Sequence, residues 1–268
     1  MSDFSLLSGF HKASQAGIVS ASSRGTVVSH GANHTKGAYT QLIASTPHDA
    51  DAVLVTARHT TNWNALTDLA IGAAASEQVI AANLMRTTWN GLITVCQYLL
   101  PIAIPAGTRM AARGQTDDSG ARDVWLHATL LTGGFRRASP LSQILTLGAD
   151  TTNTRGTPVT SGAANTKGSW VQLSSSLPNT LRGLLVAFGA NAGGIGATED
   201  WLLDIGVGAA ASEQVVAPDL SVTITDSELC FPQVQPAPLE FAAGQRLAIR
   251  GQSSVASAVL DVVVYGVT

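Results

Sequence analysis

The chain has 268 residues, a formal net charge of -3, 12% charged residues and 45% hydrophobic ones. The charged share is about half the ~25% of an average soluble protein, and the weak net charge supplies no cationic field for nucleic acid. No stretch approaches the ~18 consecutive apolar residues that a membrane helix needs.

The opening MSDFSLLSGF lacks the basic start and long apolar run of a secretory signal, so synthesis in a cytoplasm is expected. Residues 1–24 carry Phe4, Leu6, Leu7 and Phe10 with few charges, and are expected to form an arm that docks on a neighbouring subunit. After the arm come short runs separated by Gly, Pro or Asn: SRGTVVSHGAN, HTKGAYTQL, DAVLVTARHT, SEQVIAANL, QYLLPIAIPAG, TRMAARGQ and DVWLHATLLTG. Runs of this length with turn residues at nearly every junction predict strands. Pro105-Ala106-Gly107-Thr108 reads as a turn between two of them. Ser139–Leu145 (SPLSQIL) is a candidate for a helical turn in a linker.

The second half repeats the first. GAAASEQV occurs at Gly72–Val79 and again at Gly208–Val215. HTKGAYTQL is matched by NTKGSWVQL, PAGTRMAARGQ by AAGQRLAIRGQ, SRGTVVSHGAN by TRGTPVTSGAA, and DVWL (123–126) by DVVV (261–264). The order is kept along the chain, with the largest insertion near Asn191–Gly196. In the second copy Trp201, Leu203, Ile205 and Val207 alternate with Leu202, Asp204 and Gly206, the period of two of a half-buried strand. Seven or eight strands fit each copy, at the spacing of a sandwich or barrel. The expectation is an all-β chain of two tandem homologous jelly-roll-like β-sandwich domains with a short N-terminal arm. The boundaries are arm 1–24, first domain 25–132, linker 133–155 and second domain 156–268. The Ala runs of GAAASEQV are expected at a bend after a strand, where small side chains let two backbones or two subunits approach.

Residues able to carry chemistry are few. Cys96 and Cys230 do not fall at equivalent places in the two copies, which argues against a structural pair within each domain and fits a reducing compartment. His30 and His34 are Ser161 and Asn165 in the second copy, and are read as surface loop residues, since zinc needs about four ligands. His48, Asp49 and Asp51 would have to converge in a cleft to serve a hydrolase. Glu77 and Glu213 are matched acids without a matched base, so an ion pair to a matched arginine is expected, either Arg109/Arg246 or Arg113/Arg250. Lys36 and Lys167 (TKG) read as turns leading into strands. No cofactor, metal or enzymatic activity is expected. Trp63 (TTNWNAL) and Trp89 (TTWNG) lie in polar, loop-like contexts, and are candidate contacts to a glycan or to another subunit.

The combination TKGxxxQL, GAAASEQV and PAGTRMAARGQ resembles β-sandwich structural proteins of tailed bacteriophages and gene-transfer-like particles, over both copies. The resemblance implies a non-enzymatic virion protein made in the host cytoplasm, with other virion proteins as partners and neither nucleic acid nor membrane bound. It implies a place on the tail, fibre or baseplate, with a capsid decoration or head spike, or a carbohydrate-binding module for host-surface glycans, as alternatives. A homo-oligomer is expected; a trimer would present six similar domains.

Overall fold

The computed structural model describes residues 12–18, 24–59, 63–87, 94–133, 143–190, 199–224, 233–235 and 239–268. Phe4, Leu6, Leu7, Phe10, Trp89, Cys230 and the 191–196 insertion lie outside them.

The described residues are built of strands and their connections. The first half holds β1 (Lys12–Ala16), β2 (Thr26–His30), β3 (Thr40–Ile43), β4 (Ala52–His59), β5 (Ala65–Ile71), β6 (Gln78–Arg86), β7 (Thr94–Leu100), β8 (Met110–Thr116) and β9 (Arg122–Thr132). One sheet runs β2-β9-β4-β7, with β1 extending the same edge of β9; the facing sheet runs β3-β8-β5-β6. Two four-stranded antiparallel sheets with this crossed strand order form a jelly roll.

The second half holds β10 (Ile144–Leu147), β11 (Ala149–Asp150), β12 (Arg155–Thr160), β13 (Val171–Ser174), β14 (Leu184–Ala190), β15 (Glu199–Val207), β16 (Gln214–Ile224), β17 (Gln233–Gln235), β18 (Leu247–Ser253) and β19 (Val259–Val267). Its sheets run β12-β19-β14-β17, with β10 on the same edge of β19, and β13-β18-β15-β16. This is the strand order of the first half. The irregularities recur as well. The β3–β8 register slips between Gln41 and Ile43, and β13–β18 between Gln172 and Ser174.

Two boundaries and one repeat match move. Lys12–Ala16, placed by the sequence in the arm, is the first strand of the first sandwich and pairs with Thr132–Ala128. Ile144–Leu147, placed in the linker and partly in a helical turn, is a strand of the second sandwich, paired with Val267–Val264. The DVWL/DVVV match is out by two residues: Leu126 stands opposite Thr26 as Val262 stands opposite Thr157. A slip of two keeps every side chain on its own face, so the alternation misled about register without misleading about burial.

The sandwiches are fused. β10 also bridges in parallel to β6, Ile144 opposite Ala81, which links the β3-β8-β5-β6 sheet to the β19 sheet of the second half. β9 alternates buried and half-buried positions from Val124 to Leu131. β19 is buried on both faces from Leu260 to Val267, which explains its near-continuous apolar run. One face fills the second core with Leu260, Val262 and Val264. The other puts Val263, Tyr265 and Val267 into a cluster continuous with the first core. The Tyr265 ring meets Tyr98 edge-on at 5.5 Å. Its hydroxyl donates to the Asn83 carbonyl at 2.8 Å and accepts from the Met85 amide at 2.7 Å.

Candidate functional site

Two polar networks occur in both sandwiches. The first braces the GAAASEQV loop. Arg109 donates through Nη1 to Glu77 at 3.0 Å and to the Gly72 carbonyl at 3.1 Å, and through Nε to Gln41 at 3.0 Å. Arg246 makes the same three bonds, to Glu213 at 2.7 Å, the Gly208 carbonyl at 3.3 Å and Gln172 at 3.0 Å. Glu213 is held below the usual carboxylate range: burial pushes it up, but hydrogen bonds from backbone amides and Arg246 outweigh it. The loop leaves β5 at Gly72 (φ 108°) and turns through Ala75 (φ 65°); Gly208 (φ 115°) and Ala211 (φ 65°) do the same after β15. Such left-handed values are natural for glycine and costly for alanine, so the bracing bonds hold a strained tip. Ala73–Ser76 and Ala209–Ser212 are exposed. The tip therefore does not bring two backbones together inside the chain; its small side chains face outward.

The second network lies on the outer face of the β3-β8-β5-β6 sheet. β5 and β6 slip register at Asp68, where Ala82 and Asn83 stand opposite one residue, and Asn83 adopts φ 53°. This is a β-bulge, which re-aims a side chain. Asp68 Oδ1 accepts from Lys36 Nζ at 2.8 Å and from the Asn83 amide at 2.9 Å, and Oδ2 accepts from Arg113 Nε at 3.1 Å. Lys36 Nζ also donates to the Leu66 carbonyl at 3.1 Å and to Asn83 Oδ1 at 2.8 Å, so its three protons are all used. Burial lowers the Lys36 pKa, opposed by the Asp68 charge. The Arg113 guanidinium lies over the Tyr39 ring at 4.5 Å.

The second sandwich builds the same cluster from Lys167, Asp204, Arg250 and Trp170. Lys167 donates to Asp204 at 2.7 Å and to the Leu202 carbonyl at 3.1 Å, Arg250 Nε donates to Asp204 at 2.9 Å, and Arg250 covers the Trp170 ring at 4.6 Å. Burial of Asp204 raises its pKa, but the bonds from Lys167, the Asp219 amide and Arg250 bring it below the usual value. One member differs. Asp219 (φ 52°) occupies the bulge position of Asn83 and places a second carboxylate 2.9 Å from Lys167 Nζ.

The surroundings also differ. In the first sandwich the cluster opens into a cleft of about 930 Å³ between the two halves. Asn33, Thr35 and Gln115 line it from the first half, and Gln143, Thr151 and Thr152 from the second. Its edge is pinned at buried Thr154, which bonds His34 Nδ1 at 2.8 Å and accepts from Gln115 Nε2 at 2.8 Å.

No protein-family profile and no curated protein matches the chain. Among solved structures it is similar to two crystal forms titled "PNGF-II", in the C2 and P21 space groups. The TM-scores are 0.38 and 0.35, each at 8% identity over 97% of this chain. The chain spans 65% and 66% of the length of those structures.

The candidates from the sequence separate as follows. Of the two arginine pairs offered to Glu77 and Glu213, Arg109 and Arg246 take them, while Arg113 and Arg250 go to Asp68 and Asp204. Trp63 requires a correction: it is 4% exposed, with the Arg86 guanidinium 4.6 Å above its ring, and offers no open face for stacking. His30 requires another. It is fully buried, with Nε2 2.8 Å from Thr67 Oγ1, and burial lowers its pKa to about 4. It fills the space above Gly114, where an added Cβ would lie 1.9 Å from the imidazole. Thr132 Oγ1 bonds both His48 Nδ1 and the Asp49 carbonyl, the adjacent Gly133 amide donates to Asp51, and the Asp49 carboxylate accepts from the Ala106 amide, so the side chains serve turn contacts and not one another. No group of three metal-ligating side chains occurs among the described residues. Sequence reasoning missed Asp68/Asp204 and Tyr39/Trp170, although both pairs stand at matched positions of the two copies.

Proposed function

We propose that this chain is a non-enzymatic structural protein of a tailed-phage virion, and a surface component of the tail, fibre or baseplate. The observation that carries the reading is the pair of outward-facing tips, Gly72–Ser76 and Gly208–Ser212. They have one sequence, one backbone course and one set of bracing bonds on two jelly rolls fused into a single block. A charge-free tip of small side chains exposes its backbone for close contact. Two per chain supply the repeated, equivalent contacts that symmetric assemblies are built from. The low charge content, the pairing of Arg109 and Arg246 within the chain, and the resemblance over both copies agree with a life inside an assembly.

The test is immunogold labelling of purified particles from the source with antibody against this chain. Label along the tail or at its tip is the expected result. Label spread over the head would replace the tail assignment with a decoration role, and particles without label would end the virion reading. In the same particles, Ala74→Glu together with Ala210→Glu is expected to abolish incorporation while the isolated chain keeps its melting temperature.

A further inference from the structure

The two polar clusters are built alike, yet their charge differs. At the first, Lys36 and Arg113 face Asp68 alone, so two cations minus one anion leave +1. At the second, Lys167 and Arg250 face Asp204 and Asp219, and the sum is zero. The neighbouring Arg109–Glu77 and Arg155–Asp150 pairs cancel. The surplus cation sits on the cluster that the second sandwich flanks on one side. Lys36 is spent on three internal acceptors. Arg113 is not. Its Nε bonds Asp68, its face lies on Tyr39, and its two Nη groups have no carboxylate or carbonyl partner among the described residues. The side chain is 33% exposed and lines the cleft.

The geometry points to the cleft between the two jelly rolls as a binding site for a carboxylate-bearing saccharide, with Arg113 as the carboxylate anchor. A guanidinium held flat by a ring and fixed at Nε presents its Nη edge as a fork that fits a carboxylate. A surplus of one charge suits one carboxylate. The remaining wall carries neutral amides and hydroxyls, from Asn33, Thr35, Gln143, Thr151 and Thr152, which suit the hydroxyls of a sugar, and apolar surface that includes Val79 and Ala82, which suits its ring carbons. A cleft of about 930 Å³ lies within the size of small-ligand sites, ~300–1,000 Å³. The second cluster lacks the surplus charge. The inference goes beyond the structural role proposed above and does not depend on it.

The chain supplies its own control. Asn83→Asp installs at the first bulge the residue that the second already carries at the same backbone angle, so the variant is expected to fold with an unchanged melting temperature. The full chain is titrated with glucuronate, with glucose and with acetate by calorimetry. Saturable glucuronate binding is expected, with glucose and acetate each weaker by roughly tenfold or more. In Asn83→Asp glucuronate affinity is expected to fall by roughly tenfold, whereas Asp219→Asn leaves it unchanged. Equal binding of glucose would overturn the carboxylate anchor, equal binding of acetate would overturn the saccharide, and glucuronate binding undiminished in Asn83→Asp, or absent from the native chain, would overturn the site.

Discussion

Asp261 is fully buried on β19, and neither carboxylate oxygen has a hydrogen-bond partner among the described residues. Its cross-strand neighbours are Pro158, which has no amide proton to offer, and Gly189, whose open side meets Thr87 of the first sandwich. Burial raises its pKa to about 7; nearby Arg155 opposes the rise and Asp150 adds to it. An unfolded aspartate titrates near ~3.9. Between these values the folded chain keeps a proton that the unfolded chain has released. The stabilisation by the neutral carboxyl is therefore complete below the unfolded value and is lost as pH rises through about 7. The loss is on the order of 4 kcal/mol. Melting followed from about pH 5 to about pH 8 should show the native chain losing stability and Asp261→Asn losing much less. Parallel curves for the two proteins would show that Asp261 is not the group responsible.

At the scale of the element, the hairpin tips depend on one arginine each. Glu213 has only 2% of its side chain exposed, so Arg246→Met leaves a carboxylate buried without its cation and frees the Gly208 carbonyl and Gln172. A lower denaturant midpoint is expected, with faster amide exchange at Ala209–Ser212. Adding Glu213→Gln should recover most of that shift; a double variant as unstable as the sum of the two single ones would contradict the pairing. This pairing was half legible. Matched copies singled out Glu77, Glu213 and four arginines, because a duplicated sequence marks what both halves use. Which arginine meets which acid was not legible. Lys36–Asp68 and Arg113–Asp68 join residues 32 and 45 positions apart, on β5, β8 and the loop before β3, and strand order is not written in a period of two. Trp63 misled for a related reason. Its neighbours in sequence are polar, but it is covered by Arg86 from β6, a contact no local pattern reports.

The whole molecule holds together through Tyr265. Its hydroxyl satisfies the Asn83 carbonyl and the Met85 amide at once, both belonging to the strand that carries the bulge of the candidate site. Tyr265→Phe removes both of these bonds, one of them buried and one half-buried, and a loss of about 1–3 kcal/mol is expected. Limited proteolysis should then separate the two halves before either is digested. A variant as resistant as the native chain would mean that apolar packing alone fixes the interface. The two sandwiches themselves were readable from the repeated sequence, since each repeats its turn residues and alternation. Their fusion was signalled only by the apolar stretch of β19, which looks like any other strand until its second buried face is explained.

The contact between the halves is head-to-tail: the β6 edge of one sandwich meets the outer face of the β19 sheet of the other. Such a contact does not close on itself, and repeated from chain to chain it would extend without limit. The face of the first sandwich that could receive a further copy is the outer side of β9. There, strand register puts Thr129 where the second sandwich has Tyr265 and His127 where it has Val263. Thr129 donates instead to Gln15 in its own sheet, on the solvent side. The tyrosine that bonds the two halves thus has no twin on β9, so a further sandwich docking there in the same way would lack that bond.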